Sequence, residues 1–187
     1  MNDHPTSYRI VAGGSYTGAL AIAVKRLKYS ARPDLARPLG AWLSERARTA
    51  NLTADLVIPV PLHPRKLRAR GYNQSALLSA HVARSLGARF RPRALVRTRD
   101  TAPQASLDRE ARGDNIAGAF HARQIEAIRG KRVVLVDDVA TTGATLRACV
   151  QALLDAGVAS VTALVLARKD HPGAAAGEDA PATTFPG

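Results

Sequence analysis

The pattern of hydrophobic and polar residues along the chain predicts strands that alternate with helices. Short apolar runs bounded by Gly, Pro or polar residues predict strands at about residues 8–12, 55–61, 94–97, 119–121, 133–136 and 160–167. Gly13 and Gly14 are expected to end the first strand. The run from Val133 to Val136 is continuously apolar, as expected for a strand buried on both faces. Such strands, alternating with helices, are typical of the α/β class, with a mainly parallel sheet flanked by helices.

Helices are predicted where apolar residues recur every three or four positions. This spacing occurs at about residues 17–28, 33–49, 73–86 and 146–154. Asn73 is suited to cap the third of these helices, and Gly87 follows it as a stop signal. The first two helices are interpreted as scaffold. Their only notable surface feature is a minor basic patch of Lys25, Arg26 and Lys28.

Residues 98–116 fit neither pattern. They have mixed charge, a proline, a glycine and little periodicity, so a flexible lid is expected there, in which residues 106–112 could form a short helix. From about residue 169, Pro, Gly, Ala and Thr dominate and a disordered tail is expected. The expected organisation is therefore one domain over residues 1–168, followed by a tail over residues 169–187.

Composition narrows the functional classes. The chain has 187 residues, 46% of them hydrophobic, which is enough for one domain with a sizeable core. Its single cysteine, Cys149, excludes a disulfide framework and a multi-cysteine zinc module in this sequence, and a buried helix position is expected for it. No apolar run reaches the roughly 18 residues of a membrane span, and the first ten residues lack the plan of a signal peptide. A cytoplasmic protein with no membrane contact is expected.

The net charge of +12 is concentrated in one part of the chain. Between Pro61 and Asp100, Arg and Lys are frequent, and Asp100 is the only acid in that stretch. A positive field of this kind attracts polyanions. Nucleic acid and small molecules that carry a pyrophosphate are both candidate ligands.

Candidate chemistry lies at the end of the central strand. Asp137 and Asp138 follow the apolar run, and a loop of small and hydroxyl residues then opens a helix. Such a loop presents backbone N–H groups at the positive end of the helix dipole and suits a phosphate, while the carboxylates suit the hydroxyls of a sugar. The stretch contains neither GxxxxGK[ST] nor GxGxxG. It predicts a site for a ribose 5-phosphate unit. The expected phosphate-binding residues are Ala140, Thr141, Thr142, Gly143, Ala144 and Thr145.

A second candidate region runs from Leu62 to Gly71 and is interpreted as a basic loop. It follows a predicted strand, and ligands bind beyond the carboxyl ends of strands in open α/β sheets. Its Arg and Lys side chains suit a pyrophosphate. The expected pyrophosphate-binding residues are Arg65, Lys66, Arg68 and Arg70.

These motifs carry a family resemblance. The stretch from Val133 to Thr145, VVLVDDVATTGAT, resembles the 5-phosphoribosyl 1-pyrophosphate (PRPP) binding motif of the type I phosphoribosyltransferases. A longer likeness, over about residues 8–168, is to the ComF (competence protein F) family. It includes RLKY at 26–29, DLVIPVPLHPRKLRARGYNQ at 55–74 and TAPQ at 101–104. The resemblance implies the type I phosphoribosyltransferase fold with a small hood or lid region. Many members carry an N-terminal four-cysteine zinc module, which is not expected in this chain.

The resemblance also implies an activity. The chain would transfer the phosphoribosyl group of PRPP to a nitrogen acceptor that the sequence does not identify. Asp137 and Asp138 would be the catalytic carboxylates, holding the ribose 2′- and 3′-hydroxyls. Mg²⁺ would arrive with PRPP and lie near this pair, with no direct protein metal site. The expected lid residues are Arg97, Arg99, Gln104 and Arg112.

Two alternatives stay open at this point. One is a protein that binds PRPP or a nucleotide without turnover, since a fold does not fix a function. The other is an accessory of DNA uptake that binds single-stranded DNA, although the scarcity of aromatic residues counts against high affinity. A homodimer is compatible with either interpretation.

Overall fold

The computed structural model describes residues 8–99 and 118–169. Its helices are α1 (Gly18–Tyr29), α2 (Ala36–Thr49), α3 (Pro64–Arg70), α4 (Gln74–Leu86), α5 (Ile125–Ile128) and α6 (Ala144–Asp155), and a 3₁₀ turn (Pro33–Leu35) precedes α2. Its strands are β1 (Arg9–Ser15), β2 (Leu56–Pro59), β3 (Arg89–Phe90), β4 (Leu95–Arg97), β5 (Phe120–Ala122), β6 (Arg132–Ala140) and β7 (Ser160–Arg168). Two expected lid residues, Gln104 and Arg112, and the expected tail beyond Lys169 lie outside the described residues.

Five strands form one parallel sheet in the order β1-β7-β6-β2-β3. The central strand β6 pairs with β7 from Arg132 to Ala140, and with β2 on its other side. The first strand, β1, lies at one edge and pairs with β7. This sheet confirms the predicted α/β class.

Alternation along β6 divides the core into two layers. Val134 and Val136 pack in the layer that contains α1, α2 and α4, whereas Val133 and Leu135 pack in the layer that contains α6. Because helices cover both faces, the strand is apolar at every position of this run. Among the described helices, none has the length and hydrophobicity needed to cross a membrane.

A small antiparallel sheet of β4 and β5 adds to the α6 layer. Leu95 lies opposite Ala122 in the register, and Leu95 and Phe120 are buried in the same cluster as the inward face of α6. Thr98 N donates a 2.9 Å hydrogen bond to Ala119 O, which extends the pairing towards residue 99. The two short strands predicted before and after the expected lid therefore pair with each other.

The first strand continues through Gly13 and Gly14, where the sequence predicted that it would end. A Cβ on Gly13 would lie 2.6 Å from Leu166 O and 3.0 Å from the Trp42 ring. Neighbouring backbone and the indole thus approach this part of β1 more closely than a side chain permits. The glycines mark close packing instead of a turn.

The central strand is also longer than its apolar run. Asp137 and Asp138 lie inside β6, and Asp137 stands opposite Val165 of β7. The prediction ended the strand at the first carboxylate, because buried acids are rare in strand interiors. Here a side chain from α4 contacts Asp137 and a side chain from α1 contacts Asp138, as described below. The strand β3 was not predicted, since two residues carry no periodic pattern.

Candidate functional site

The carboxyl ends of the parallel strands bring the candidate residues to one edge of the sheet. Pro59 of β2 lies level with Val136 of β6, and Ala140 of β6 lies level with Arg168 of β7. The loops that leave these strands are therefore neighbours. One leads from β2 into the basic helix α3, and one leads from β6 into α6. The predicted sugar, phosphate and pyrophosphate residues consequently lie along the same edge.

Asp137 is held from two directions. The Ser75 hydroxyl, in the first turn of α4, donates a 2.9 Å hydrogen bond to Asp137 Oδ1. The backbone N–H of Asp138 donates a 2.8 Å hydrogen bond to the same oxygen. Asn73 caps α4 as predicted, with its Oδ1 accepting from Ser75 N at 3.0 Å and Ala76 N at 3.4 Å. The cap fixes the start of α4 and so aims Ser75 at the carboxylate.

Asp138 is held by a lysine from α1. Lys28 Nζ lies 2.8 Å from Asp138 Oδ1, and the two side chains are only 19% and 3% exposed. The second oxygen, Asp138 Oδ2, is buried and has no hydrogen-bond partner among the residues that the structure describes. One oxygen of this carboxylate is thus fixed, while the other retains its capacity to accept a hydrogen bond.

Burial of two adjacent acids changes their electrostatics. Burial, followed by the charge of Asp138, raises the pKa of Asp137 to about 7, against the opposing effect of Lys28. Burial on its own would lower the pKa of Lys28, but the charge and hydrogen bond of Asp138 outweigh it and the pKa is raised. The site therefore combines a firmly protonated lysine with a carboxyl group that titrates near neutrality.

The turn between β6 and α6 has the features of an anion-binding loop. Gly143 has φ of +74°, in the left-handed region that favours glycine. Thr142 Oγ1 accepts from Ala144 N at 3.4 Å, and Arg147 Nη1 donates to Thr142 O at 3.0 Å. Thr141 and Thr142 are exposed, while Ala144 and Thr145 are half-buried and Ala140 is buried. The α6 dipole and the Arg147 guanidinium together give this turn a positive character.

The stretch interpreted as a basic loop is a helix, α3. His63 Nδ1 accepts from Arg65 N at 3.3 Å at its start, and Gly71 ends it at φ of +83°. The predicted pyrophosphate residues divide between two sides of this helix: Arg65 and Arg68 are exposed, and Lys66 and Arg70 are half-buried. The loop interpretation was wrong because seven residues dominated by charge carry no apolar stripe.

Arg70 connects α3 to the rest of the site. Its guanidinium lies over the Tyr29 ring, 5.4 Å from the ring centre, and donates a short hydrogen bond to Gln74 Oε1. Tyr29 directly follows Lys28, which contacts Asp138. The end of the basic helix is therefore adjacent to the turn of α1 that reaches the carboxylates.

The described part of the expected lid begins on the small sheet. Arg97 lies over the Phe120 ring at 5.3 Å, and its Nε donates to Arg99 O at 3.2 Å. The ring contact places Arg97 beside β5, and the hydrogen bond joins its side chain to the backbone of Arg99. Their expected partners Gln104 and Arg112 belong to the range that the structure does not describe.

The two adjacent carboxylates supply few protein ligands for a metal ion. Within residues 8–99 and 118–169, no cluster of three His, Cys, Asp or Glu residues could hold a cation. The pair supplies two carboxylates, one with the unpartnered oxygen Asp138 Oδ2. Mg²⁺ commonly retains water and phosphate oxygens among its ligands. The two carboxylates are therefore chemically suited to an Mg²⁺ ion whose other ligands are diphosphate oxygens and water.

Cys149 is buried within α6, as expected, and burial, followed by the charge of Asp137, raises the pKa of its thiol well above its ordinary value. A neutral, inaccessible thiol is a poor nucleophile. The structure therefore assigns it to the core.

Two residues of the site were not predicted. The sequence places Lys28 in a surface patch, yet it lies one helical turn beyond Val24 and two turns beyond Leu20, and both of these residues are buried. That alignment was an available signal that Lys28 points inward. Ser75 carried no comparable signal, because a serine near a capped helix start is common.

Comparison with known proteins adds to this geometry. The family model described as a phosphoribosyl transferase domain matches residues 73–183. The chain is 35% identical to DNA utilization protein YhgH of Escherichia coli K12, over 88% of this chain and 74% of that protein. It is 33% identical to competence protein F of Haemophilus influenzae, over 90% of this chain and 76% of that protein.

A solved structure shares the fold. The glutamine PRPP amidotransferase of B. subtilis, complexed with ADP and GMP, superposes with a TM-score of 0.53 at 21% identity, over 76% of this chain and 30% of that chain. At this identity the likeness concerns the fold alone.

Proposed function

The chain belongs to the phosphoribosyl transferase domain family, among the relatives of competence protein F, and on that premise we propose that it binds PRPP with Mg²⁺ and transfers the phosphoribosyl group to a nitrogen acceptor. One observation carries the proposal. A buried pair of adjacent carboxylates, Asp137 and Asp138, lies where β6 leads into a glycine-containing turn at the start of α6. The pair suits the hydroxyls of a sugar, and the turn suits a phosphate attached to it.

In this reaction the C1–O bond to pyrophosphate breaks and its electron pair leaves with the oxygen. A bond forms between C1 and the acceptor nitrogen, which releases its proton to solvent. Positive charge develops on the ribose ring between these events. The carboxylates of Asp137 and Asp138 would stabilise that charge electrostatically while fixing the sugar hydroxyls.

The 5-phosphate and the pyrophosphate would bind at different places along the same sheet edge. Residues 140–145 would bind the 5-phosphate through backbone N–H groups and hydroxyls. The basic side chains of α3, among them Lys66 and Arg70 on its less exposed side, would attract the pyrophosphate. Bound Mg²⁺ would neutralise part of the pyrophosphate charge as it leaves.

Calorimetric titration with PRPP and Mg²⁺ tests the binding step. We expect saturable binding that the double variant Asp137→Asn/Asp138→Asn abolishes. The matched control is Asp34→Asn/Asp155→Asn, which removes the same charge at exposed positions of the 3₁₀ turn and α6. Equal binding by both double variants would refute the assignment of the site.

A second assay tests turnover. Pyrophosphate release from PRPP is measured with nucleobases, ammonia and primary amines in turn. Release that depends on one acceptor identifies the other substrate. Binding of PRPP without release, across the whole panel, would favour the non-catalytic alternative.

A second candidate function is binding of single-stranded DNA. The observation that favours it is Tyr29, which is 76% exposed and lies under Arg70, at the end of a helix that also exposes Lys25 and Arg26. An exposed ring among cations can stack a base while the cations bind phosphates. Two relatives carry the names DNA utilization protein and competence protein.

Gel retardation of a single-stranded oligonucleotide tests this candidate. We expect Tyr29→Ala to weaken retardation more than Lys25→Ala does, and added salt to weaken both. Absence of any retardation at low salt would refute it.

A further inference from the structure

The contact between Lys28 and Asp138 is unusual for a lysine near a helix end. Lysines at such positions are ordinarily solvated, yet Lys28 is 19% exposed and its ammonium lies 2.8 Å from a carboxylate that is 3% exposed. Burying two charges requires close and well-directed pairing, since each loses its hydration. The helix α1 contains no acid that could pair with Lys28 locally. The positive charge of Lys28 is therefore balanced by Asp138, at the carboxyl end of β6.

The turn of α1 that carries Lys28 is held on both sides of that residue. The Tyr72 hydroxyl, between α3 and α4, donates a 2.5 Å hydrogen bond to Leu27 O. Arg70 lies against the ring of Tyr29. Leu27 is itself fully buried. Leu27 and Tyr29 are thus fixed by groups that flank the basic helix, and Lys28 lies between these two residues.

We propose that Lys28 is a positioning residue of the site: its ammonium fixes Asp138 Oδ1, so that the buried Oδ2 is the oxygen presented to a ribose hydroxyl. This proposal rests on the proposed function and adds to it a residue of α1 that orients the substrate-binding carboxylate. Asp138 Oδ2 is buried and has no partner within the described chain, although a carboxylate oxygen in that state normally accepts a hydrogen bond. A hydroxyl donor of the substrate would satisfy it.

The opposite role, in which Lys28 competes with the substrate, defines the result that would contradict the proposal. A lysine that competes with the sugar for Asp138 would lower affinity, and its removal would tighten binding. A lysine that positions Asp138 raises affinity, and its removal leaves a buried carboxylate without its counter-charge. The two roles predict changes of opposite sign.

The ion pair is first tested without ligand. In the ¹⁵N-labelled full chain, a paired and shielded lysine ammonium gives an observable Nζ–H resonance, whereas exposed lysines exchange too fast. Disappearance of one such resonance in Lys28→Arg assigns it. We expect Asp138→Asn to shift it. A Lys28 resonance that is absent under conditions that slow exchange overturns the proposal.

Affinity for PRPP with Mg²⁺ is then compared among three variants by calorimetry. We expect Lys28→Met to weaken binding by at least about tenfold, because a charged hydrogen bond is lost, and Lys28→Arg to recover most of the affinity. Lys25→Met is the matched control, since it removes an exposed lysine from the same helix, and its affinity should change less than about twofold. Thermal unfolding checks that each variant is folded.

The outcomes separate the two proposals. Equal affinities of Lys28→Met and Lys25→Met, or tighter binding by Lys28→Met, overturn the role of Lys28 while leaving PRPP binding intact. Failure of the unmodified protein to bind PRPP refutes the proposed function, and with it the substrate-positioning role, even when the ligand-free resonance shows the ion pair. Failure of Lys28→Arg to recover affinity in a folded protein also overturns the positioning role.

Discussion

Ser75 and Asp137 lie 62 positions apart in the chain, and the Ser75 hydroxyl donates a 2.9 Å hydrogen bond to Asp137 Oδ1. The same oxygen accepts the backbone N–H of Asp138. The orientation of Asp137 is therefore set jointly by the start of α4 and by its own strand. Carboxylates that must contact a ligand in a defined geometry gain from such support, because it reduces the reorganisation needed on binding.

Ser75→Ala is expected to weaken PRPP binding without unfolding the protein. The substitution removes one of the two donors to Asp137 Oδ1, and we expect a loss of roughly fivefold in affinity, or about 1 kcal/mol. Calorimetry measures it. Ser79→Ala is the control, because Ser79 is also buried in α4 but donates only to Ser75 O, at 2.6 Å. A similar loss of affinity in both variants would mean that the effect comes from the helix and not from Asp137.

Asp137→Asn is expected to stabilise the fold above neutral pH while abolishing PRPP binding. The pKa of Asp137 is raised to about 7 in the folded protein by burial and by the charge of Asp138. A raised carboxyl pKa contributes stability below its unfolded value, about 3.8, and this contribution is lost as the pH rises towards 7. Asp137→Asn does not titrate and so avoids this loss of stability, and its amide oxygen can still accept a hydrogen bond from Ser75.

Urea denaturation at pH 4, 6 and 8 checks this prediction. The advantage of the variant should grow with pH and level off above pH 7, reaching on the order of 1–3 kcal/mol. An original protein that is more stable than the variant at pH 8 would contradict the raised pKa.

Gly143→Ala is expected to weaken binding of the 5-phosphate. An alanine at φ of +74° is strained, and its Cβ would lie 3.3 Å from Arg147 Nη1 in the turn. We expect a stability loss of about 1 kcal/mol and a larger relative loss in affinity for ribose 5-phosphate. Gly87→Ala is the control, with φ of +64° and no atom within 4 Å of the added Cβ. If the control loses affinity equally, the turn at Gly143 has no special role.

Asp55→Asn is expected to destabilise the protein at neutral pH but not in strong acid. Asp55 accepts from Arg132 N at 2.8 Å and pairs with the Arg132 guanidinium at 3.0 Å, which joins the starts of β2 and β6. The Arg132 side chain holds the pKa of Asp55 at about 2. A lowered pKa contributes stability above the unfolded value of 3.8, and the contribution is lost as the pH falls through about 2.

Denaturation midpoints at pH 7, 4 and 2 measure this contribution. The difference between the original protein and Asp55→Asn should shrink below pH 4 and vanish near pH 2. Asp155→Asn, at an exposed acid that accepts only from Gln151 in the described chain, should show a smaller difference at pH 7. A difference for Asp55→Asn that persists unchanged at pH 2 would contradict the ion pair.

The fold class could be predicted because the strands and larger helices carry strong hydrophobic patterns. The ends of the strands could not be predicted where tertiary packing decides them. Gly13 stays in β1 because Trp42 and Leu166 O lie too close for a side chain, and no local pattern reveals a contact with α2 or β7. The helix α3 was not predicted because its charged residues form no apolar stripe. Only the His63 cap and Gly71 mark its ends.

The residues of the candidate site also separate into those that the sequence predicts and those that it does not. Asp137, Asp138 and the turn after them are contiguous, so their arrangement follows from one local motif. Lys28 and Ser75 reach the pair from α1 and α4, and their contacts depend on how those helices pack. Tertiary packing of this kind leaves little trace in a single sequence, apart from the alignment of Lys28 with Val24.

The sheet order also has a consequence for biosynthesis. The strand β1 is made before the other strands of the sheet, yet its only partner in the described sheet is β7, which is made more than a hundred residues later. The helix α1, with Lys28, follows β1 and cannot take its final place on a growing chain until β7 has left the ribosome. A nascent chain interrupted before Ser160 would expose the apolar side of α1, and we expect it to be a target for chaperones and proteases.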